Sequence, residues 1–161
     1  MSYIPDATGI RTGAIGYRVD RATAALPQTA TGGIFTVAGG RVVVTSLVGV
    51  VTVAIGATAT SLNVVHTPTV GSVADLAAAT VVTSDIVGTL YSLTGYPLDL
   101  LSANARTLVN VPDAAHAALC ERAMVLPAGT IGAKTDANDT GSIQWSVTWY
   151  PYDTGATLVA A

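Results

Sequence analysis

The sequence predicts an all-β protein, an antiparallel β-sandwich or jelly roll with an extended N-terminal arm. Three observations predict it. Val, Ile and Thr make up 52 of the 161 residues, and branching at Cβ restricts χ1 in a helix while suiting the pleated surface of a strand. Sixteen glycines and seven prolines cut the apolar runs into short segments at turn-like intervals. Late in the chain, Ser142 to Tyr150 alternates strictly. Ile143, Trp145, Val147 and Trp149 fall on one face, with Gln144, Ser146, Thr148 and Tyr150 on the other, the period of a half-buried antiparallel strand.

Residues 1–30 read as an arm or edge strand, and residues 31–161 as the sandwich domain. The arm alternates short apolar pieces with Pro5, Gly9, Gly13, Gly16 and Pro27, and it carries Arg11, Arg18 and Arg21. Ala14 to Val19 is its one expected strand. Such a segment either takes its order from a neighbour or is simply a first edge strand.

In the body, Ile34 to Val37 is a strand that turns at Ala38-Gly39-Gly40, a pair able to adopt the positive φ of a tight hairpin. Arg41 to Ser46 returns, and Leu47 to Ile55 continues it, with Gly49 expected at a bulge or bend. Neither alternate set of residues in Leu47 to Ala59 is polar, so this stretch is expected to be buried on both sides. Leu62 to Thr67 is a short strand stopped by Pro68. Ser72 to Ala79, Ile86 to Thr94 and Arg106 to Val111 are further strands, with residues 98–105 irregular or one helical turn. Asp113 to Arg122, Ala-rich with a capping Asp, is the best helix candidate. Met124 to Leu126 and Thr130 to Lys134 flank Pro127-Ala128-Gly129 as an expected hairpin. Asp136 to Gly141 is a hairpin turn leading into the tryptophan strand, and Ala156 to Val159 is a last edge strand. About ten short segments at such spacing indicate a sandwich or jelly roll.

The composition narrows function. Half the residues are apolar and 11% are charged, against ~25% in ordinary soluble proteins, which excludes a disordered chain. A net charge of −3 argues against electrostatic capture of nucleic acid or anionic lipid. Val42 to Ala74 holds no Asp, Glu, Lys or Arg, yet threonines, serines and glycines interrupt it. Buried strands are therefore expected rather than a spanning helix, and no membrane partner. The N-terminus lacks the basic and apolar regions of a secretory signal, and the lone Cys120 fits assembly in a reducing cytoplasm.

Catalytic chemistry is poorly supplied. Lys134 is the one lysine and Glu121 the one glutamate. No Gly-x-Ser-x-Gly elbow, phosphate-cradling glycine loop or facing carboxylate pair stands out, so no enzyme and no cofactor is expected. His116 and Cys120 would share a helix face, but zinc takes four ligands and His66 is the only other histidine. Asp136 to Gly141 has calcium-loop residues without the required later Glu, and a turn explains them. No metal is expected. Among the aromatics, Tyr91, Tyr96, Trp145, Trp149, Tyr150 and Tyr152 are candidates for a sugar platform. The tryptophans read as core, and Tyr150 and Tyr152, around Pro151, as the exposed pair.

The run Leu26-Pro27-Gln28-Thr29-Ala30-Thr31-Gly32-Gly33-Ile34-Phe35-Thr36-Val37, with Gly39-Gly40-Arg41-Val42, resembles small β-rich virion proteins of tailed bacteriophages. Val87 to Gly95 and Asp139 to Trp145 extend the likeness. The resemblance covers most of residues 23–161 and includes no catalytic motif. It implies a capsid decoration, or cement, protein on the capsid exterior, commonly a homotrimer over junctions of the major capsid protein. Tail, baseplate or fibre structural proteins share the same Thr/Val/Gly style, and a host-surface glycan-binding module is a further alternative. From the arm's composition, Tyr3, Arg11, Arg18 and Arg21 are the expected capsid contacts. From the uncharged stretch, Val48, Val50 and Val53 are the expected subunit interface. The low charge then reads as surface covered by partner subunits.

Overall fold

A computed structural model describes residues 7–93, 108–111 and 123–161. The expected helix at Asp113 to Arg122, with His116 and Cys120, lies outside the described residues, as do Tyr3 and Tyr96. The chain is an all-β sandwich of two antiparallel sheets. In order it runs α1 (Ala7–Ile15), β1 (Tyr17–Asp20), β2 (Ala24–Ala25), β3 (Thr31–Ala38), β4 (Val42–Val53), β5 (Ser61–Pro68), β6 (Ala74–Asp75) and β7 (Thr80–Val81). It continues with β8 (Leu90–Leu93), β9 (Leu108–Val111), β10 (Met124–Leu126), β11 (Gly129–Thr135), β12 (Ser142–Pro151) and β13 (Thr157–Ala160). The larger sheet has the order β1-β12-β4-β8-β9, with β2 on β12 and β10 on β4; the smaller has β13-β3-β11-β5-β6, with β7 on β5.

The inner faces meet over Trp145, Tyr91, Phe35, Leu47, Leu62 and Ile131, all at most 2% exposed. β12 alternates as its sequence demands: Ile143, Trp145, Val147 and Trp149 are buried, and the residues between them are half-buried or exposed. Gly39 and Gly40 have φ of 74° and 151° at the β3–β4 turn, so the glycine pair supplies the turn, but β3 and β4 lie in different sheets and the expected hairpin is instead a crossing from one sheet to the other.

Several expectations are corrected. Ala14 and Ile15 belong to the last turn of α1 rather than to a strand. Gly16, at φ 100°, ends the helix with its N–H on Thr12 O at 2.9 Å, the usual left-handed glycine stop. Only then does β1 pair with β12. Gly49 is no bulge; it faces Trp145 directly in the ladder. In place of a strand over Ser72 to Ala79 there is a two-residue β6, because Leu76 and Ala77 both donate their N–H to Val64 O and turn inward to burial. The strand expected over Ile86 to Thr94 is described only at Leu90–Leu93, since Thr89 N–H closes a turn on Ile86 O at 3.1 Å.

Two more expected hairpins are crossings between sheets. β10 lies on β4, whereas β11 lies between β3 and β5. Pro127 has no N–H to continue a ladder, and the chain changes sheet there. Likewise Asp136 to Gly141 carries the chain from β11 in the smaller sheet to β12 in the larger one. Asp136 accepts from Ser61 N–H at 2.6 Å, which holds its carboxyl below the usual range.

Candidate functional site

The expected interface valines lie on β4, the long strand between β12 and β8. Simple alternation over Val42–Val53 would put Val53 on the face opposite Val48 and Val50. The ladder with β12 prevents this. Trp149 pairs with Val44 and Thr148 with Ser46, leaving Thr45 over; Ile143 pairs with Val51 and Ser142 with Val53, leaving Thr52 over. Each extra residue is a β-bulge that resets the alternation. Val42, Val44, Leu47 and Val51 therefore all reach the core, while Val43, Ser46, Val48, Val50 and Val53 share the outer face.

The two bulges are built alike. Thr45 Oγ1 donates to Thr148 O and Thr52 Oγ1 to Ser142 O, both at 3.2 Å. In each case a side-chain hydroxyl occupies a partner-strand carbonyl beside the break in the ladder, which keeps that acceptor satisfied.

The outer face is therefore uncharged over three strands. Gln144, Ser146 and Thr148 of β12 flank it on one side and Leu90 of β8 on the other; Val125 of β10 stands beside Val43. Val53 is 53% and Val125 48% exposed, and Val48 and Val50 are half-buried. The expectation of burial on both sides thus holds fully for one side alone. The described residues of the outer face carry valines and hydroxyls and no charged side chain, and the valines can bury apolar surface against another apolar surface. Completing the burial of each valine contributes about 1 kcal/mol.

Of the expected arm contacts, Arg18 borders this face. It binds Asp20 at 2.8 Å and its Nη2 reaches Ser146 Oγ at 3.4 Å. Hydrogen bonding to Ser146 first, then to Arg18, lowers the Asp20 carboxyl. Arg11 falls within α1. Arg21 sits at the opposite end of the β1 register, its N–H on Trp145 O at 2.8 Å. Tyr3, the fourth expected contact, lies outside the described residues.

A second surface, unforeseen from the sequence, lies at the β3–β4 turn. Asp153 accepts from Arg41 Nε at 2.9 Å, from Nη2 at 2.8 Å and from the Arg41 main-chain N–H at 2.8 Å. Arg41 holds that carboxyl down at about 2, and its guanidinium lies 4.6 Å from the ring centre of Tyr152. Tyr152 is exposed, as expected, and Tyr150 half-buried. Tyr91, by contrast, is fully buried, and donates to Asp85 Oδ2 at 2.6 Å; burial foremost, and Asp85 next, raise its phenol.

Among the described residues no group of three or more His, Cys, Asp or Glu is placed to hold a metal ion. His66 is a core residue, 3% exposed, on the same face of β5 as Leu62 and Val64. No described helix is long and apolar enough to cross a membrane. No family model matches the chain, and neither does any curated protein or any solved structure.

Proposed function

We propose that this protein is a non-enzymatic structural component of a bacteriophage virion, a capsid decoration protein that self-associates through the outer face of its larger sheet. The observation that carries the reading is the gathering of Val48, Val50 and Val53 on one uncharged face by the bulges at Thr45 and Thr52. An uncharged apolar face of this kind marks an interaction surface. A trimer, the state the phage resemblance implies, uses a head-to-tail contact in which this face meets a different surface of the next copy. The N-terminal segment, with Tyr3, Arg11, Arg18 and Arg21, is assigned to the major capsid protein.

The test is native mass spectrometry of the purified chain and of Val50→Asp. The reading expects an oligomer for the parent and a folded monomer for the variant. A monomeric parent at working concentration overturns self-association, and undiminished binding to expanded capsids after deletion of residues 1–22 overturns the arm's role. A glycan-binding module is the second reading, favoured by the exposed Tyr152 ring under Arg41. Saccharide binding lost in Tyr152→Ala would support it.

A further inference from the structure

His66 is the one histidine among the described residues, and it is buried on the core face of β5. Its imidazole is hydrogen-bonded to the main chain of Pro127, while Nε2 has no partner among the described residues. Pro127 itself is exposed. The buried ring is thus one residue away from water, and that residue belongs to the crossing that takes the chain from β10 to β11. The crossing rests on the end of β5. Thr69 N–H donates to Ala128 O at 2.8 Å, and a side chain at Gly129 would collide with Thr67 O and Pro68 Cα. The two strands it joins are held unequally. β11 is paired along both edges, with β3 and with β5. β10 pairs over three residues, Met124 to Leu126 against Val44 to Val42, along one edge.

No counter-charge faces the ring among the described residues. Ile131 of β11 and Ala74 of β6 flank His66 in the sheet. Asp75, next along β6, falls on the opposite face and accepts from Asn63 Nδ2 at 3.1 Å. The buried side chains of β3, β4, β10 and β11 include no ionisable group. Arg41 and Asp153 stand one register step from Pro127, at the β3–β4 turn, and are bonded to each other. The remaining buried titratable contacts are Tyr91 with Asp85 and Asp139 with Thr60. Both lie past the other end of β4, where Asp85 O accepts from Ile55 N–H and Asp139 adjoins Gly56.

We infer that the Pro127 crossing is an acid-released latch: when His66 takes up a proton, residues 127–128 lift from the end of β5 and β10 leaves β4, while the rest of the sandwich stays folded. Protonation gives the imidazole a second N–H where one carbonyl accepts and no carboxylate answers, and a buried charge in that state is strongly destabilising. Hydrating the ring through the crossing is the least disruptive remedy. β11 keeps its place through two ladders, and β10 gives up three residues of one, so the opening is local rather than global. What it bares is the Val42–Val44 edge of β4, an uncharged strand edge with which an extended segment of another chain can pair. The latch stands apart from the proposed function and does not depend on it.

Amide hydrogen exchange of the full-length ¹⁵N-labelled chain, with intrinsic rates divided out, tests it. Protection at the Thr69 amide and at the hydrogen-bonded amides of β10 is expected to fall about tenfold per pH unit below 6.5, as one proton taken up per opening requires. That exchange is expected to be insensitive to urea up to about 1 M, because a local opening exposes little surface. The amides of β12 are expected to stay far better protected and to follow urea as global unfolding does. His66→Gln takes up no proton and is expected to abolish the pH dependence at Thr69 and β10, whereas Asp153→Asn is expected to keep it. Should His66→Gln fail to fold, the urea dependence of the parent decides. Flat protection at Thr69 below pH 6.5, an equal fall in His66→Gln, or a urea dependence as steep as that of β12 overturns the inference. Loss of the response in Asp153→Asn overturns it as well, by placing the titrating group at the turn.

Discussion

The indole of Trp145 lies over Gly49 so closely that a Cβ at Gly49 would sit 2.8 Å from Cζ3 and 2.9 Å from Cε3 of the ring. The two residues face one another across β12 and β4, and Tyr91 of β8 stands on the far side of Gly49 in the same row. Two of the largest buried side chains in the core thus flank a position without a side chain. Gly49→Ala is expected to destabilise the protein by about 2 kcal/mol through overpacking. Trp145→Phe in that background is expected to cost less than in the parent, because the two sites share one volume. Urea unfolding of the four proteins measures this, and strict additivity would refute it.

The bulge at Thr52 depends on its hydroxyl. Thr52→Val keeps the shape and removes the bond to Ser142 O, at an expected cost of about 1 kcal/mol. The urea midpoint is expected to fall with its slope unchanged, and an unchanged midpoint would assign the hydroxyl no role.

His66 sets a pH dependence. Its imidazole is hydrogen-bonded to the main chain of Pro127, where only a carbonyl is available to accept, and burial lowers its pKa from the ordinary 6.5. Nε2 has no partner among the described residues. The folded protein therefore takes up this proton less readily than the unfolded chain, so the stabilisation is complete above pH 6.5. It is lost as pH falls below that value, by up to ~1.4 kcal/mol per pH unit, until the folded pKa is reached. His66→Leu is expected to flatten the fall in stability below pH 6.5. A slope retained in the variant would place its origin elsewhere.

Asp153 acts in a lower window. Its carboxyl is held at about 2 against an ordinary 3.8, chiefly by the hydrogen bonds from Arg41. Its contribution is complete above pH 4 and is lost as pH falls through about 2. Asp153→Asn is expected to remove that step from the acid unfolding curve, and to loosen Tyr152 by freeing the guanidinium that covers it.

What the sequence revealed follows from how local each signal is. β12 was legible because eight consecutive residues alternate without exception. The β3–β4 turn was legible because two glycines in a row mark it, but its crossing from one sheet to the other was not. The sheet membership of β10 and β11 was not, since a strand–Pro–strand pattern is the same whether the chain turns back or crosses over. Val53 joined Val48 and Val50 through bulges, and the one local hint was a threonine at each, at positions 45 and 52, within a run of valines. Gly49 carried the opposite lesson: a glycine inside a strand pattern marked close packing against Trp145 rather than an irregular backbone.

The order of strands also governs when the molecule can close during synthesis. β12 stands between β1 and β4, and β11 between β3 and β5, so both sheets await strands from the last 33 residues. Until those emerge from the ribosome, β4 shows a bare valine edge where β12 belongs, with no charge on the strand to discourage pairing with another nascent chain. Such late, long-range closure slows folding and lengthens exposure to aggregation.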